Sequence, residues 1–259
     1  MTMQSHSKVA VVTGVGRRRS IGASLAVGLA RDGWDLALNY WRPYDDRVGL
    51  EGNPDDPESI ASECRALGVA VELVPGDLSD PAVPAELIRA AGTLGPVTGL
   101  VMSHCESVDS SILTTDLESW DRHFAVNARA TWLLIKAFAE QLREPVVPGD
   151  VGGRIVALTS DHTVHNLPYG ASKGALDRIV TAAAVELAGR GVRANVVNPG
   201  PIDTGWMDDA TRRSGIDATP AARLGTAEDT TDLMRFLFSE QGSWMNGQIL
   251  YSNGGFKVG

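Results

Sequence analysis

The chain has 259 residues, 43% hydrophobic and 21% charged, which are the proportions of a globular protein and exclude a disordered or collagen-like one. Asp and Glu number 32 against 23 Lys and Arg, and the resulting net charge of −9 argues against general nucleic-acid binding, which rests on neutralising phosphates. Glycine is the anomaly at 28 residues, and surplus glycine in a globular chain goes to tight turns or to backbone that closes on a ligand.

Val9–Thr13 is a short β-branched run that leads into a glycine loop and predicts a buried strand. Ile21–Arg31 has helical periodicity and stops at Asp32-Gly33, a helix C-terminal signal. A strand is expected at Trp34–Asn39. The alternation repeats with helix Pro57–Leu67 and strand Val69–Val74, then helix Val83–Gly92 and strand Val97–Met102. A long helix over Leu117–Arg143 precedes strand Arg154–Thr159, helix Tyr169–Ala188 and strand Val192–Val197. A helix at Glu228–Phe238 and a strand at Gln248–Tyr251 close the pattern. Strands alternating with helices at this spacing predict right-handed βαβ units. The expected fold is α/β: a single doubly wound domain over residues 1–259 with a parallel sheet of about seven strands. Two stretches, Tyr40–Asp56 and Thr204–Thr226, read as long loops.

Met1–Lys8 is polar and lacks the apolar centre of a signal peptide, and no run of ~18 apolar residues predicts a membrane span. Two cysteines, Cys64 and Cys105, suit a reducing compartment. The sequence therefore reads as a soluble, cytoplasmic protein.

Thr13-Gly14-Val15-Gly16-Arg17-Arg18-Arg19-Ser20-Ile21-Gly22 lies between the first strand and the first helix. Glycines there let backbone approach a pyrophosphate, and the helix N-terminus offers amide donors. A tight strand–helix turn without a ligand would use the same residues. Strand two runs on as Asn39-Tyr40-Trp41-Arg42, without the acid that grips the ribose of NAD; the first acids are Asp45 and Asp46. That absence, with Arg19 and Arg42, favours NADP(H) and leaves NAD(H) open. Trp41 is a candidate adenine stack.

Tyr169 and Lys173 are four residues apart at the start of an expected helix, so they share a face. An ammonium near a phenol lowers its pKa, which makes the phenol a general acid or base. Ser160 ends strand five, where a hydroxyl reaches the crevice at the carboxyl ends of strands or, alternatively, caps a turn. His162 and His165 lie between them but lack further ligands for zinc, so no metal is expected.

These residues in this order resemble the short-chain dehydrogenase/reductase family. The resemblance rests on Thr13-Gly14 with Ile21-Gly22, Gly76-Asp77-Leu78, Val126-Asn127, Gly153-Arg154-Ile155-Val156 followed by Ser160, Tyr169 and Lys173, then Asn198-Pro199-Gly200 and Asn253-Gly254-Gly255. The arginine-bearing glycine loop and Asn198–Met207 look like the 3-oxoacyl-carrier-protein reductase-like subgroup. The resemblance implies a Rossmann fold and interconversion of a ketone and a secondary alcohol with a nicotinamide cofactor. Residues 9–115 would mainly hold the dinucleotide, and 116–259 the catalytic groups, substrate loop and oligomer contacts. Tyr169 would be the acid/base, Lys173 would lower its pKa and hold the nicotinamide ribose, Ser160 would place the carbonyl, and Asn127 would complete a proton relay. Gly14, Gly16, Arg19, Ser20, Ile21, Gly22, Tyr40, Trp41, Arg42, Asp77, Leu78, Ser103, Pro199, Gly200, Ile202 and Thr204 would line the cofactor. The helices bearing Trp120, Phe124, Trp132 and Tyr169 would form contacts in a homotetramer or homodimer, with Leu176, Ile179, Val180 and Ala184 between subunits.

Three positions depart from the family pattern. Ser20 stands where a middle glycine is usual. Met102-Ser103-His104-Cys105 replaces Asn-Asn-Ala-Gly. Ser160 and Tyr169 are nine positions apart, closer than usual, which predicts a pocket open on that side or filled by another loop. The last two departures motivate a second reading, a dinucleotide-binding or regulatory protein without turnover.

Overall fold

In the computed structural model, which describes residues 8–142 and 150–256, seven parallel strands lie in the order β3-β2-β1-β4-β5-β6-β7. Most of the Met1–Lys8 segment and the expected helix end at Arg143 fall outside the described residues. The strands are β1 (Lys8–Thr13), β2 (Trp34–Tyr40), β3 (Val71–Pro75), β4 (Val97–Met102), β5 (Gly153–Leu158), β6 (Val192–Asn198) and β7 (Ile249–Tyr251). Val9 to Val12 of β1 are all fully buried, because helices cover both faces of the sheet and each strand can be apolar throughout. Alternation along the strand divides the core in two. Val9 and Val11 pack with Leu100, Phe138 and Leu176 on one face, and Ala10 and Val12 with Leu25, Leu29, Ile60 and Met234 on the other. The chain moves outward through β2 and β3 and then returns to place β4 on the other side of β1. That reversal opens a crevice at the carboxyl ends of β1 and β4.

The helices are α1 (Ile21–Arg31), α2 (Arg42–Arg47), α3 (Asp56–Ala66), α4 (Val83–Ala91), α5 (Leu117–His123), α6 (Ala130–Gln141), α7 (Leu167–Glu186), α8 (Asp209–Asp217) and α9 (Ala227–Leu237). The two stretches expected as loops each contain a helix, α2 and α8. Neither could be read from periodicity: α2 has six residues, and α8 buries none of its side chains. Asp208 caps α8 through the Thr211 amide at 2.7 Å. The long helix expected from Leu117 is interrupted by a π turn at Phe124–Arg129, which separates α5 from α6. β3 begins two residues late, at Val71, and α7 starts at Leu167 with Pro168 in its first turn.

Leu176, Val180 and Ala184 lie in the chain's own core against β5 and β6, so they are not available to a second subunit as expected. Ile179, Phe124 and Trp132 instead line a surface groove, with Trp132 51% exposed. Among the described residues no helix is long and apolar enough to cross a membrane.

Candidate active site

The crevice is a cleft of about 1030 Å³, part of it open to solvent, that runs from the glycine loop past β4 to the start of α7. Two glycines shape its floor. Gly14 has φ +77°, and a Cβ there would lie 2.7 Å from the Ser103 carbonyl oxygen. A Cβ on Gly22 would meet the Gly14 carbonyl at 2.5 Å, so α1 starts directly behind the loop only because both residues are bare. Ser20 caps α1, its hydroxyl accepting from the Ala23 amide at 3.1 Å, and lines the cleft beside Gly16 and Ile21. A bare backbone loop ending in a helix N-terminus fits a phosphate-bearing group.

Four of the expected side chains converge beyond this loop. The first turns of α7 present Tyr169 and Lys173 to the cleft. Lys173 is buried, its Nζ donating to the Leu158 carbonyl at 2.8 Å and standing 5.8 Å from the centre of the Tyr169 ring. Ser160 lies two residues beyond β5 and interacts with the Tyr169 phenol. Asn127 sits fully buried in the π turn, where Nδ2 donates to the Glu106 carbonyl at 2.8 Å and to Ser172 Oγ at 2.9 Å, while Oδ1 accepts from the Glu106 amide at 2.8 Å. The electrostatics differ from the expectation that Lys173 would lower the Tyr169 pKa. The phenol is pushed above its ordinary value by burial first and by the Cys105 thiol second, with the Ser160 hydrogen bond pulling the other way. Burial also lowers the Lys173 ammonium. Tyr169 is therefore a protonated phenol at neutral pH.

The arginine cluster separates into three roles. Arg17 turns into the cleft, where Nε meets Asp45 at 2.9 Å and Nη1 donates to the Thr204 carbonyl at 2.7 Å. Arg18 pairs with Glu63, and Arg19 reaches Asp203 at 3.4 Å beside a groove between α1 and α9, away from the cleft lining. Arg42 donates to the carbonyls of Gly16 and Gly52. The acid thought to lie too far along the chain returns: α2 folds back and sets Trp41, Tyr44 and Asp45 in the cleft wall. Tyr44 donates to the Ser107 carbonyl at 3.4 Å. Asp77, Leu78, Ser103, Pro199 and Thr204 line the cleft as expected, whereas Gly22, Tyr40, Arg42, Gly200 and Ile202 lie outside its lining. Gly200 has φ +67°, and a Cβ there would lie 2.5 Å from that of Asn253. Ile202 is buried at a bridge with Gly225.

His104 explains how the altered β4 end is braced. Its Nε2–H donates to the Val126 carbonyl at 3.1 Å, so Nδ1 accepts from the Thr13 hydroxyl at 2.7 Å. A π turn frees carbonyls from their usual helical partners; here His104 takes that of Val126 and the Thr131 hydroxyl that of Asn127. Burial holds the imidazole down at about 3, so it is neutral.

The shortened connection from Ser160 is closed by another loop, one of the two expected outcomes. Asn166 Nδ2 donates to Ser107 Oγ at 3.0 Å and to Asp109 at 2.8 Å, and the Leu167 amide donates to the Ser110 carbonyl. His162–His165 is exposed, with His165 at φ 63°. The loop presses on α7 so closely that a Cβ on Gly170 would lie 2.1 Å from the His162 carbonyl oxygen. Among the described residues no group of three metal-ligating side chains assembles. Sequence reading missed Arg17 as the cleft arginine, and missed Tyr44, Asp45 and Arg122 in the cleft lining.

The family model described as enoyl-(acyl carrier protein) reductase matches residues 14–257. The chain belongs to the short-chain dehydrogenase/reductase family. Its curated relatives include the uncharacterized oxidoreductase YjdA of Bacillus subtilis (strain 168), 31% identical across 97% of this chain and 98% of that protein. An NADPH-dependent aldehyde reductase-like chloroplastic protein of Arabidopsis thaliana is 34% identical, covering 96% and 94%. Among solved structures, a blue fluorescent protein from a metagenomic library in complex with NADPH superposes with a TM-score of 0.84 at 28% identity, covering 98% of this chain and 99% of that one. A dehydrogenase/reductase from Sinorhizobium meliloti 1021 gives 0.85 at 26% identity, covering 98% and 96%. The short-chain dehydrogenase/reductase fold and this chain's oxidoreductase class follow from these likenesses.

Proposed function

We propose that the protein is an NADP(H)-dependent oxidoreductase that interconverts a ketone and a secondary alcohol. The observation that carries this reading is that Tyr169 and Lys173 line one end of a cleft, with Ser160 beside the phenol, and the Gly14–Ile21 loop lines the other. When bound, the dinucleotide supplies or accepts the hydride. Gly14, Gly16, Ser20 and Ile21 would receive its phosphates, Asp77 and Leu78 the adenine, and Ser103, Lys173, Pro199 and Thr204 the nicotinamide half. Ser160 Oγ donates to the substrate carbonyl and orients it toward Tyr169. The Tyr169 phenol, protonated at neutral pH, gives its proton to the carbonyl oxygen as that oxygen gains charge. Lys173 stabilises the phenolate that results, and Asn127 holds the Glu106 peptide and Ser172 around the site.

NADP(H) is favoured because Arg17 stands in the cleft wall and Arg42 donates to the Gly16 carbonyl, placing two guanidinium groups at the glycine loop. The relative named as an NADPH-dependent aldehyde reductase-like protein supports the same cofactor. A 3-oxoacyl thioester belongs among the candidate substrates. The exposed groove at Phe124, Trp132 and Ile179 supports self-association into a homotetramer, and the two free cysteines suit a cytoplasmic location. The test is NADPH oxidation with a panel of ketones, aldehydes and 3-oxoacyl thioesters. Turnover of at least one is expected. Tight NADPH binding without oxidation across the panel would leave a dinucleotide-binding protein and refute this reading.

A further inference from the structure

We propose that Glu106 is a positioning residue that ties the dinucleotide end of the cleft to Asn127, an inference that rests on the function proposed above. Glu106 lies just beyond β4, outside the motifs that carry the family resemblance, and its side chain is 2% exposed. Its carboxylate accepts two hydrogen bonds from Arg47 Nη2, at 2.6 and 2.7 Å, and one from Arg122 Nε at 3.1 Å. Its peptide groups are equally committed, the amide to Asn127 Oδ1 and the carbonyl to Asn127 Nδ2, both at 2.8 Å. One residue thus holds Asn127 with its backbone and two guanidinium groups with its side chain.

Both arginines lead back to the cofactor side. Arg47 belongs to α2, the same short helix that sets Tyr44 and Asp45 in the cleft wall. Arg122 lines the cleft from α5, and its Nη2 reaches Asp77 at 3.3 Å. In the other direction Asn127 donates to Ser172, whose hydroxyl donates to the Tyr169 carbonyl at 2.9 Å. Continuous polar contact therefore runs from Asp77 through Arg122, Glu106, Asn127 and Ser172 to the turn that carries Tyr169 and Lys173. A buried carboxylate is retained only when paired, and removing its charge takes the carboxylate from Arg47 and leaves Arg122 with Asp77 alone. The Glu106 peptide then loses its anchor, and with it Asn127 loses a fixed partner.

The test is Glu106→Gln, which keeps the shape and drops the charge, assayed with NADPH and the best carbonyl substrate found. The kcat is expected to fall about tenfold with KM for the carbonyl changed by less than about twofold. Glu106→Asp, which keeps the charge and lets the flexible Arg47 and Arg122 follow, should recover kcat to within about threefold of wild type. In an Asn127→Ala background, or Asn127→Ser should that variant not fold, adding Glu106→Gln should cost less than about twofold further, because the path is already cut. A kcat for Glu106→Gln equal to wild type, losses that multiply in the double variant, or a loss that follows only the folded fraction by thermal melting would each overturn the role of Glu106. A wild type that turns over no carbonyl refutes the proposed function itself, whereas an active wild type with an unaffected Glu106→Gln refutes only this inference.

Discussion

His104 makes the fold's stability depend on pH in a way that one substitution removes. The imidazole is fully enclosed, donates to Val126 and accepts from Thr13, and burial lowers its pKa from 6.5 to about 3. The unfolded chain binds a proton at this residue below about pH 6.5 and the folded chain does not, so acid favours unfolding. The contribution is whole above about pH 6.5 and is lost progressively as pH falls toward the folded value, at no more than about 1.4 kcal/mol per pH unit. Between pH 7 and pH 5 the linkage amounts to about 2 kcal/mol. Urea unfolding of the wild type and His104→Gln at a series of pH values measures it. At pH 7 the variant should be less stable by about 1–3 kcal/mol through its poorer bonds to Val126 and Thr13. By pH 5 that gap should close by about 2 kcal/mol. Contributions from His123 and the carboxylates are shared by both proteins and cancel in the difference. A gap that stays constant from pH 7 to pH 5 would refute the neutral, doubly bonded His104.

Three further outcomes follow from the site. Gly170→Ala places a Cβ 2.1 Å from the His162 carbonyl oxygen, and His162 also donates its amide to Ser160 Oγ at 3.1 Å. The loop must retreat by about 1 Å, so kcat should fall by about tenfold to a hundredfold and stability by about 1–3 kcal/mol, read by steady-state kinetics and a thermal melt; unchanged values would contradict the packing. Asp45→Asn removes the carboxylate that occupies Arg17 and should improve the preference for NADPH over NADH by about fivefold in KM, whereas a shift toward NADH would place the phosphate-binding charge elsewhere. Because the Tyr169 phenol titrates above its ordinary value, the rate of carbonyl reduction should stay level through neutral pH and fall only in strong alkali as the proton is lost. A fall centred near neutrality would show that another group donates the proton.

The sheet was legible because Val9–Val12 of β1 is a continuous apolar run and β4 is nearly one, which a doubly covered parallel sheet can bury, and glycine marks where β1 ends. Tyr169 and Lys173 were legible because their spacing of four on a helix fixes a common face whatever surrounds it. The surroundings were not. Whether a phenol is raised or lowered depends on the balance of burial, Cys105 and Ser160, which the spacing does not contain. Asp45 was read as too distant because a six-residue helix carries no periodicity, yet α2 brings it back to Arg17 across 28 positions. The Arg47–Glu106 and Arg122–Asp77 pairs likewise join segments 59 and 45 residues apart, and nothing local marks either one. His104 stood in the sequence only as a departure from the family pattern; its two ring nitrogens join the end of β1 to the π turn at Val126, which the sequence does not mark.

The proposed role of Tyr169 as the proton donor in carbonyl reduction is tested by a single comparison. Wild type and Tyr169→Phe are each saturated with NADPH, mixed with the best carbonyl substrate and followed by loss of NADPH absorbance. The ring of phenylalanine fills the same space, so NADPH affinity should be equal in the two proteins while oxidation in the variant falls by about a hundredfold or more. Oxidation in Tyr169→Phe at the wild-type rate would contradict the account.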